Sequence, residues 1–350
     1  MTLAVRYTSA RTLDTAPART VEPGPGQVEL APAYVGICGT DLHIFHGDMD
    51  ARVSTPAVLG HEMSGRVVRV GPGVEGWQPG DAVTVMPLRW DDTCPACRAG
   101  HQHICQHLDF IGIDSPGAMQ QRWTVPASTL VRLPESVPLD QAALVEPTAV
   151  AVHDVRRAAV SEGEKVVVVG GGPVGILIAL VARAAGAEVR VVELNAHRRL
   201  LAEEQGLTTW DPAVTDVTDR VAEWTADAGA DVAFEVSGAA GGVATAVDVL
   251  GVRGRLCLVA IHPRPREINL HRFFWRELTL VGARLYDRSD FERAVALVAD
   301  GTVPAQRLIT RIVPMGEAPA AFEALESGGD VMKILVDCTD DTYKAQGADA

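Results

Sequence analysis

Lys165-Val166-Val167-Val168-Val169-Gly170-Gly171-Gly172-Pro173-Val174-Gly175 decides the fold of this chain. The β-branched run predicts a strand buried on both faces, as in a parallel sheet. A glycine turn follows, then a helix over Val174–Ala185 and a second strand at Glu188–Val192, which makes a β-α-β unit. Gly170, Gly172 and Gly175 match G-x-G-x-x-G. That match is weak alone and gains force from its place between a strand and a helix. Such a turn lets a pyrophosphate approach the backbone, with Pro173 and Val174 opening a helix whose free N–H groups favour anions. The plainer alternative is an ordinary strand-to-helix turn. Glu193 ends the second strand, where a carboxylate can accept ribose hydroxyls and repel a 2′-phosphate. NAD is therefore expected over NADP, with Arg198 and Arg199 pulling the other way.

Working outward, further strands are expected at Val232–Val236, Gly254–Ala260 and Leu278–Leu285, giving a doubly wound α/β domain. Residues 1 to about 146 differ in texture. They carry short alternating runs such as Gln27–Ala31 and Gly65–Val70, broken by Gly71-Pro72-Gly73 and Pro79-Gly80-Asp81, and read as a β-rich lobe. A helix is expected over Ala149–Ala159. After Asp290 come a helix at Phe291–Ala299, a helix at Ala318–Ser327 and a last strand at Lys333–Asp337, returning to the first lobe. The expected division is 1–147 with 286–350 for the β-rich domain and 148–285 for the nucleotide-binding domain. The polar tail after Cys338 is expected to fray.

The net charge of −14 argues against nucleic acid or an anionic membrane as the main partner. No apolar run reaches the roughly 20 residues of a membrane span. The first residues lack the apolar stretch of a signal peptide, so a cytoplasmic location is expected. Of the six cysteines, Cys94, Cys97 and Cys105 fall within twelve residues, which in a reducing compartment favours metal over disulfides. Cys257 and Cys338 sit in apolar runs and read as core packing.

Three further stretches carry chemistry: Gly36-Ile37-Cys38-Gly39-Thr40-Asp41-Leu42-His43, Gly60-His61-Glu62 and Glu146-Pro147-Thr148-Ala149-Val150. A thiolate, an imidazole and carboxylates make a zinc site with an exchangeable position. Singly, each residue has a plainer reading. Glu146, for example, suits a helix N-terminus by its charge alone. Zinc beside a dinucleotide means hydride chemistry on an alcohol or carbonyl.

With these motifs the chain resembles the zinc-dependent medium-chain dehydrogenases over nearly its whole length. Glu146 stands where simple alcohol dehydrogenases carry a second cysteine, as in the sorbitol, threonine and butanediol branch. The resemblance implies a GroES-like catalytic domain joined to a Rossmann domain. It implies Cys38 and His61 as catalytic zinc ligands, with Glu62 and Glu146 as carboxylate ligands that exchange with water or substrate. Thr40 and His43 would form a proton relay through the cofactor ribose, with His46 as a substitute outlet. Asp41 would orient His61. Asp91-x2-Cys94-x2-Cys97-x7-Cys105 matches the family's structural zinc lobe except at Asp91. Asp91 can itself ligate zinc; Asp92, His101 and His103 are alternatives, and a degenerate lobe without metal is the bland reading.

The implied substrate is a small alcohol or ketone: a polyol, a vicinal diol or a related hydroxy compound. A cyclitol, sugar or natural-product alcohol from a biosynthetic route is the second option, and a zinc-dependent lyase or isomerase using NAD transiently is a third. Phe45, Trp90, Arg284 and Tyr286 are candidates to line a cleft. The family assembles as homodimers or homotetramers through sheet edges, for which Leu278–Val281 is a candidate.

Overall fold

The computed structural model describes residues 2–339; the tail expected to fray lies almost wholly outside them. The chain forms two compact units. The first contains the described residues up to Glu146 and those from Ala305 onward, and the second is Pro147–Pro304.

The second unit is built on a six-stranded parallel sheet ordered Thr208–Trp210, Glu188–Val192, Lys165–Val169, Ala230–Glu235, Leu250–Leu258 and Thr279–Gly282. Val166, Val167 and Val168 are fully buried in its centre, which explains the unbroken valine run. After Lys165–Val169 the chain builds one side of the sheet, then crosses to the other. The order therefore reverses between Lys165–Val169 and Ala230–Glu235, and a ligand crevice opens at such a switch point. The helix expected from Val174 runs Pro173–Ala184, with proline in its first turn where no N–H is needed. Gly175 is obligatory here, because a Cβ would lie 1.8 Å from the Gly170 carbonyl oxygen.

Helix Arg288–Ala299 groups with this second unit, whereas the reading from sequence ended the nucleotide-binding domain at 285. The physical tie is polar. Buried Asp290 accepts from His153 Nδ1 at 2.9 Å and from Arg156 Nε at 2.8 Å. The guanidinium also reaches Asp287, so it fills the position a cation would take in this His–Asp–Asp cluster.

The first unit is β-rich. Its larger sheet has seven strands, with Gln27–Gly36 paired antiparallel to both Glu62–Val70 and Lys333–Asp337. The final strand thus lies beside the strand leading into Cys38, as Ile37 N–H donates to the Ile334 carbonyl at 3.1 Å. A three-stranded sheet of Thr12–Ala18, Thr2–Ser9 and Ala57–Val58 completes the unit's main strands. The architecture is α/β, a GroES-like domain with a Rossmann-type domain. Cys257 and Cys338 are buried at 0% and 2%, as core packing requires.

Candidate zinc and dinucleotide sites

Cys38 is the N-cap of the short helix Gly39–Phe45, and its backbone N–H donates to Asp41 Oδ2 at 2.9 Å. This capping box pins the turn that presents the sulfur. His61 and Glu62 enter strand Glu62–Val70 from the Gly60 turn. Cys38, His61 and Glu62 each bring a ligand atom to within 4.8 Å of the others, and the last two are buried. Glu146 is buried in the first turn of helix Val145–Arg157 and acts electrostatically on His61. The tight trio closes without it.

Burial opposes protonation of His61, yet the Asp41 carboxylate and the Cys38 sulfur outweigh it and push its pKa well above the imidazole range. That is the response of a pocket rich in negative groups. His61 Nδ1 and Asp41 Oδ1 are buried 3.7 Å apart, each without a hydrogen bond among the described residues. A soft sulfur, an imidazole and a carboxylate converging in a negative, buried pocket fit a zinc ion. Asp41 stands where it can orient His61, though its hydrogen bond, through Oδ2, is accepted from the Cys38 amide.

Reading the sequence missed Lys333. It is buried, ion-pairs with Glu62 and donates from Nζ to the Ile37 carbonyl at 2.9 Å. Burial alone would lower its pKa; Glu62 and Cys38 reverse the shift and raise it. The lysine is thus held as an ammonium against the trio. Gly36 makes room for the pair, since a Cβ there would lie 2.1 Å from Glu62 Oε2 and 2.9 Å from Lys333 Cε. The only sequence signal was a charged residue opening an apolar final strand.

Thr40 and His43 share the helix that Cys38 caps. His43 is one-third exposed with Nδ1 3.2 Å from Asp48 Oδ2, while His46 Nε2 lies 2.9 Å from Glu326. Two expectations need correction. Phe45 is 2% exposed and packs on Phe322 at 5.5 Å between ring centroids, and Tyr286 is fully buried against Phe291 at 5.2 Å. Both are core residues, because their aromatic surface is worth more packed than lining an open cleft.

In the cysteine lobe, Asp91, Cys94, Cys97 and Cys105 place four ligand atoms within 4.8 Å of one another. Asp91 Oδ1 accepts the Thr93 and Cys94 N–H groups at 2.8 and 3.0 Å, while Oδ2 lies 2.6 Å from His107 Nδ1. His107, also missed, therefore orients the carboxylate and, with the two amides, holds its pKa well below the usual range. Backbone N–H groups of Gln106 and Cys97 bring the Cys94 thiol down to about 7. Asp92 points elsewhere, accepting from Trp90 Nε1 at 2.9 Å. His101 and His103 do not join the four-ligand group. This donor set also fits zinc.

On the nucleotide-binding unit, Glu193 Oε2 accepts the Gly171 N–H at 2.6 Å and Oε1 the Asn195 N–H at 2.7 Å. The carboxylate is therefore clamped beside the loop of Gly170, Gly172, Pro173, Val174 and Gly175. Arg199 is occupied with Asp211 at 2.8 Å and with two carbonyls. Arg198 stays near the loop, its Nη1 3.7 Å from where a Gly172 Cβ would sit. Free N–H groups at the helix start and a carboxylate at ribose distance in sequence fit a dinucleotide.

Comparison with known proteins agrees. Residues 24–135 match the alcohol dehydrogenase GroES-like domain, and residues 173–300 match the zinc-binding dehydrogenase family. The 2-dehydro-3-deoxy-L-galactonate 5-dehydrogenase of Pseudoalteromonas atlantica is 47% identical over 335 residues, covering 96% of this chain and 98% of that protein. The crystal structure of 2R,3R-butanediol dehydrogenase from Bacillus subtilis superposes with a TM-score of 0.89 at 31% identity, covering 96% of this chain and 99% of that one. A zinc-binding dehydrogenase from Sinorhizobium meliloti 1021, bound to NADP, gives 0.91 at 32% identity with the same coverage. A half-buried thiol with a buried imidazole and carboxylate on one unit, a dinucleotide loop on the other and this whole-length kinship lead to one conclusion: the chain belongs to the zinc-dependent medium-chain dehydrogenases and is a nicotinamide-dependent oxidoreductase acting on the CH–OH group of a small hydroxy compound.

Proposed function

We propose that the chain oxidises a secondary alcohol of a polyhydroxylated acid, a sugar acid, with NAD. The single observation that carries the dehydrogenase reading is the convergence of Cys38, His61 and Glu62 in a buried pocket. The sugar-acid class is supported by the relative from Pseudoalteromonas atlantica, whose name places its oxidised hydroxyl on a deoxy sugar acid. When bound, zinc supplies Lewis acidity at the alcohol oxygen and the nicotinamide supplies the hydride acceptor.

The chain's own residues do the rest. Cys38 and His61 would hold the metal, and Glu62, which ion-pairs with Lys333, would be the carboxylate ligand beside them. Glu146, buried and negative beside them, is the second carboxylate available to the ion. Thr40 takes the hydroxyl proton, and half-buried His43 passes it to solvent, an imidazole being suited to exchange near neutrality. Asp91, Cys94, Cys97 and Cys105 hold a second, structural zinc. Glu193 supports NAD over NADP, because its clamped carboxylate repels a 2′-phosphate more than the single nearby Arg198 attracts one.

The outer strand Thr279–Gly282, with exposed Leu280 and with Phe274 and Trp275 close in sequence, supports homo-oligomerisation through that sheet edge. Six free cysteines suit the cytoplasm. Among the described residues, no helix is long and apolar enough to cross a membrane.

The test is NADH formation over a panel of sugar acids, neutral polyols and vicinal diols, with and without a zinc chelator. Chelator-sensitive turnover of a sugar acid is expected. Turnover of neutral polyols alone overturns the substrate class, and chelator-insensitive turnover overturns the zinc mechanism.

A further inference from the structure

The second unit carries a polar chain that grips the turn beside the glycine loop. Glu235 is fully buried at the C-terminal end of strand Ala230–Glu235, in register with Val169, the residue before Gly170. Its Oε1 accepts three donors: the Ser237 N–H at 3.0 Å, the Ser237 hydroxyl at 2.5 Å and the Gly238 N–H at 3.0 Å. The Ser237 hydroxyl in turn accepts the Ala239 N–H at 3.1 Å. The other oxygen, Oε2, meets His262 Nε2 at 2.8 Å. Arg266 donates from Nε to His262 Nδ1 at 3.3 Å and from Nη2 to the Gly238 carbonyl at 3.2 Å. A guanidinium only donates, so Nδ1 of His262 carries the lone pair and Nε2–H points at Glu235.

One carboxylate thus takes four donors. A buried charge is tolerated only when it is paired and hydrogen-bonded, so this carboxylate stays where its donors are. The turn depends on the carboxylate in the same way. Ser237 is exposed and Gly238 has no side chain, so apolar packing does little to place them. Their bonds to Glu235, and the bond from Arg266 to the Gly238 carbonyl, place them instead.

The glycine loop rests on this turn, backbone to backbone. A Cβ built on Gly170 would lie 2.8 Å from the Ser237 nitrogen and 3.0 Å from its Cα, so no side chain stands between them to absorb a shift. Gly170 is held on another side as well, where its carbonyl oxygen lies against Gly175 in the first turn of helix Pro173–Ala184. A displacement of the Ser237 turn therefore passes to Gly170 and on to the helix start, whose free N–H groups are those a pyrophosphate would meet. Such donors act only where they are pre-set, and a misplacement of about 1 Å made at a distance can cost on the order of 100-fold.

We propose that Glu235 and His262 are positioning residues for the cofactor: through the Ser237–Gly238 turn they seat the glycine loop and so set the affinity for the pyrophosphate. Arg266 fastens His262 to the turn. In this role none of the three needs to touch the cofactor. The alcohol plays no part in it, so the inference stands apart from the sugar-acid reading.

The experiment compares wild type with Glu235→Gln, which turns one acceptor oxygen into a donor, with His262→Leu and with His262→Gln. Asp290→Asn is the control for general loosening of the same unit, since the bonds of Asp290 go to His153 and Arg156 and not to the turn. The titrants are NADH, or NADPH if wild type prefers it, and ADP, which keeps the pyrophosphate and lacks the nicotinamide. Fluorescence for the reduced cofactor and calorimetry for ADP give Kd well below each variant's melting temperature. Both ligands should bind about 10-fold more weakly to Glu235→Gln and His262→Leu, the size of one lost hydrogen bond to a charged group. His262→Gln keeps a donor for Oε2 and recovers most of the loss. Asp290→Asn lowers the melting temperature and leaves both Kd values within about twofold, as independent sites do. If Glu235→Gln does not fold, the two His262 variants decide. Unchanged Kd values in the folded variants overturn the inference, and so does an equal loss in Asp290→Asn. A loss for the reduced cofactor with ADP unaffected also overturns it, because the pyrophosphate seat is then intact. His262→Gln as weak as His262→Leu removes the hydrogen bond to Glu235 as the cause and overturns the role of His262.

Discussion

Lys333 and Glu62 form an ion pair in the interior of the first unit, on the wall of the pocket that also holds Cys38 and His61. A lone buried carboxylate beside other anions is costly, and the ammonium offsets that cost until a cation of higher charge arrives. Lys333→Met therefore leaves Glu62 uncompensated and is expected to destabilise the zinc-free protein by about 3 kcal/mol. The loss should be smaller with zinc bound, since the metal then answers the same charge. Chemical denaturation with and without zinc checks this. An equal loss in both states would separate Lys333 from the metal.

Gly36 is where these two side chains have no slack. Gly36→Ala puts a methyl into Glu62 Oε2. We expect zinc affinity to fall by about 10-fold or more, as when groups supporting a ligand are displaced. Competition with a chromogenic chelator measures it; unchanged affinity would mean the strand shifts to absorb the methyl.

The cysteine lobe offers a count. Asp91→Ala should lower the zinc content by about half, if the lobe and the Cys38 pocket each hold an ion. It should also lower thermal stability while leaving KM for substrate in place. Asp92→Ala, whose carboxylate faces Trp90, should change neither. Metal analysis of the two variants decides between Asp91 as ligand and an empty lobe.

Cofactor choice rests on Glu193. Glu193→Ala should weaken NAD binding by about 10- to 100-fold, the worth of hydrogen bonds to a charged group. It should also improve NADP relative to NAD, with Arg198 then unopposed. Fluorescence titration with both reduced cofactors reads the ratio. A ratio that does not move would take Glu193 out of the ribose site.

Asp154 sets a pH dependence. Burial, and then the charge of Asp290, push its carboxyl well above the usual range. The folded chain thus keeps a proton that the unfolded chain releases, so stability falls as pH rises from the ordinary aspartate range toward the raised pKa. Asp154→Asn removes this dependence. Its melting temperature should exceed that of wild type by about 3 °C or more at pH 8 and by less at pH 5. Asp290 runs the opposite way. Burial raises its pKa, but His153 and Arg156 outweigh burial and lower it, so its contribution is lost only in acid. Melting curves at the two pH values test the sign.

What the sequence by itself determined about this chain is what short-range chemistry encodes. The valine run and glycine turn specify a buried strand and a helix start from neighbouring residues alone. Asp91, Cys94, Cys97 and Cys105 are spaced to close on one another within a single loop. Cys38, His61 and Glu62 were legible because their residue types are rare together: Cys38 opens a short helix as its N-cap, and His61 and Glu62 follow the turn glycine Gly60. The tertiary structure decided everything that depends on which strands pair. Lys333 reaches Glu62 only because the last strand joins Gln27–Gly36, a pairing that burial of apolar faces selects and no local pattern announces. The same holds for helix Arg288–Ala299, tied by Asp290 to His153 and Arg156 across 137 and 134 residues. It also holds for Glu235, His262 and Arg266, brought together at one end of the parallel sheet. Phe45 and Tyr286 went to the core for that reason too: an aromatic ring is buried wherever folding supplies a partner face, and only the folded chain shows where that face is.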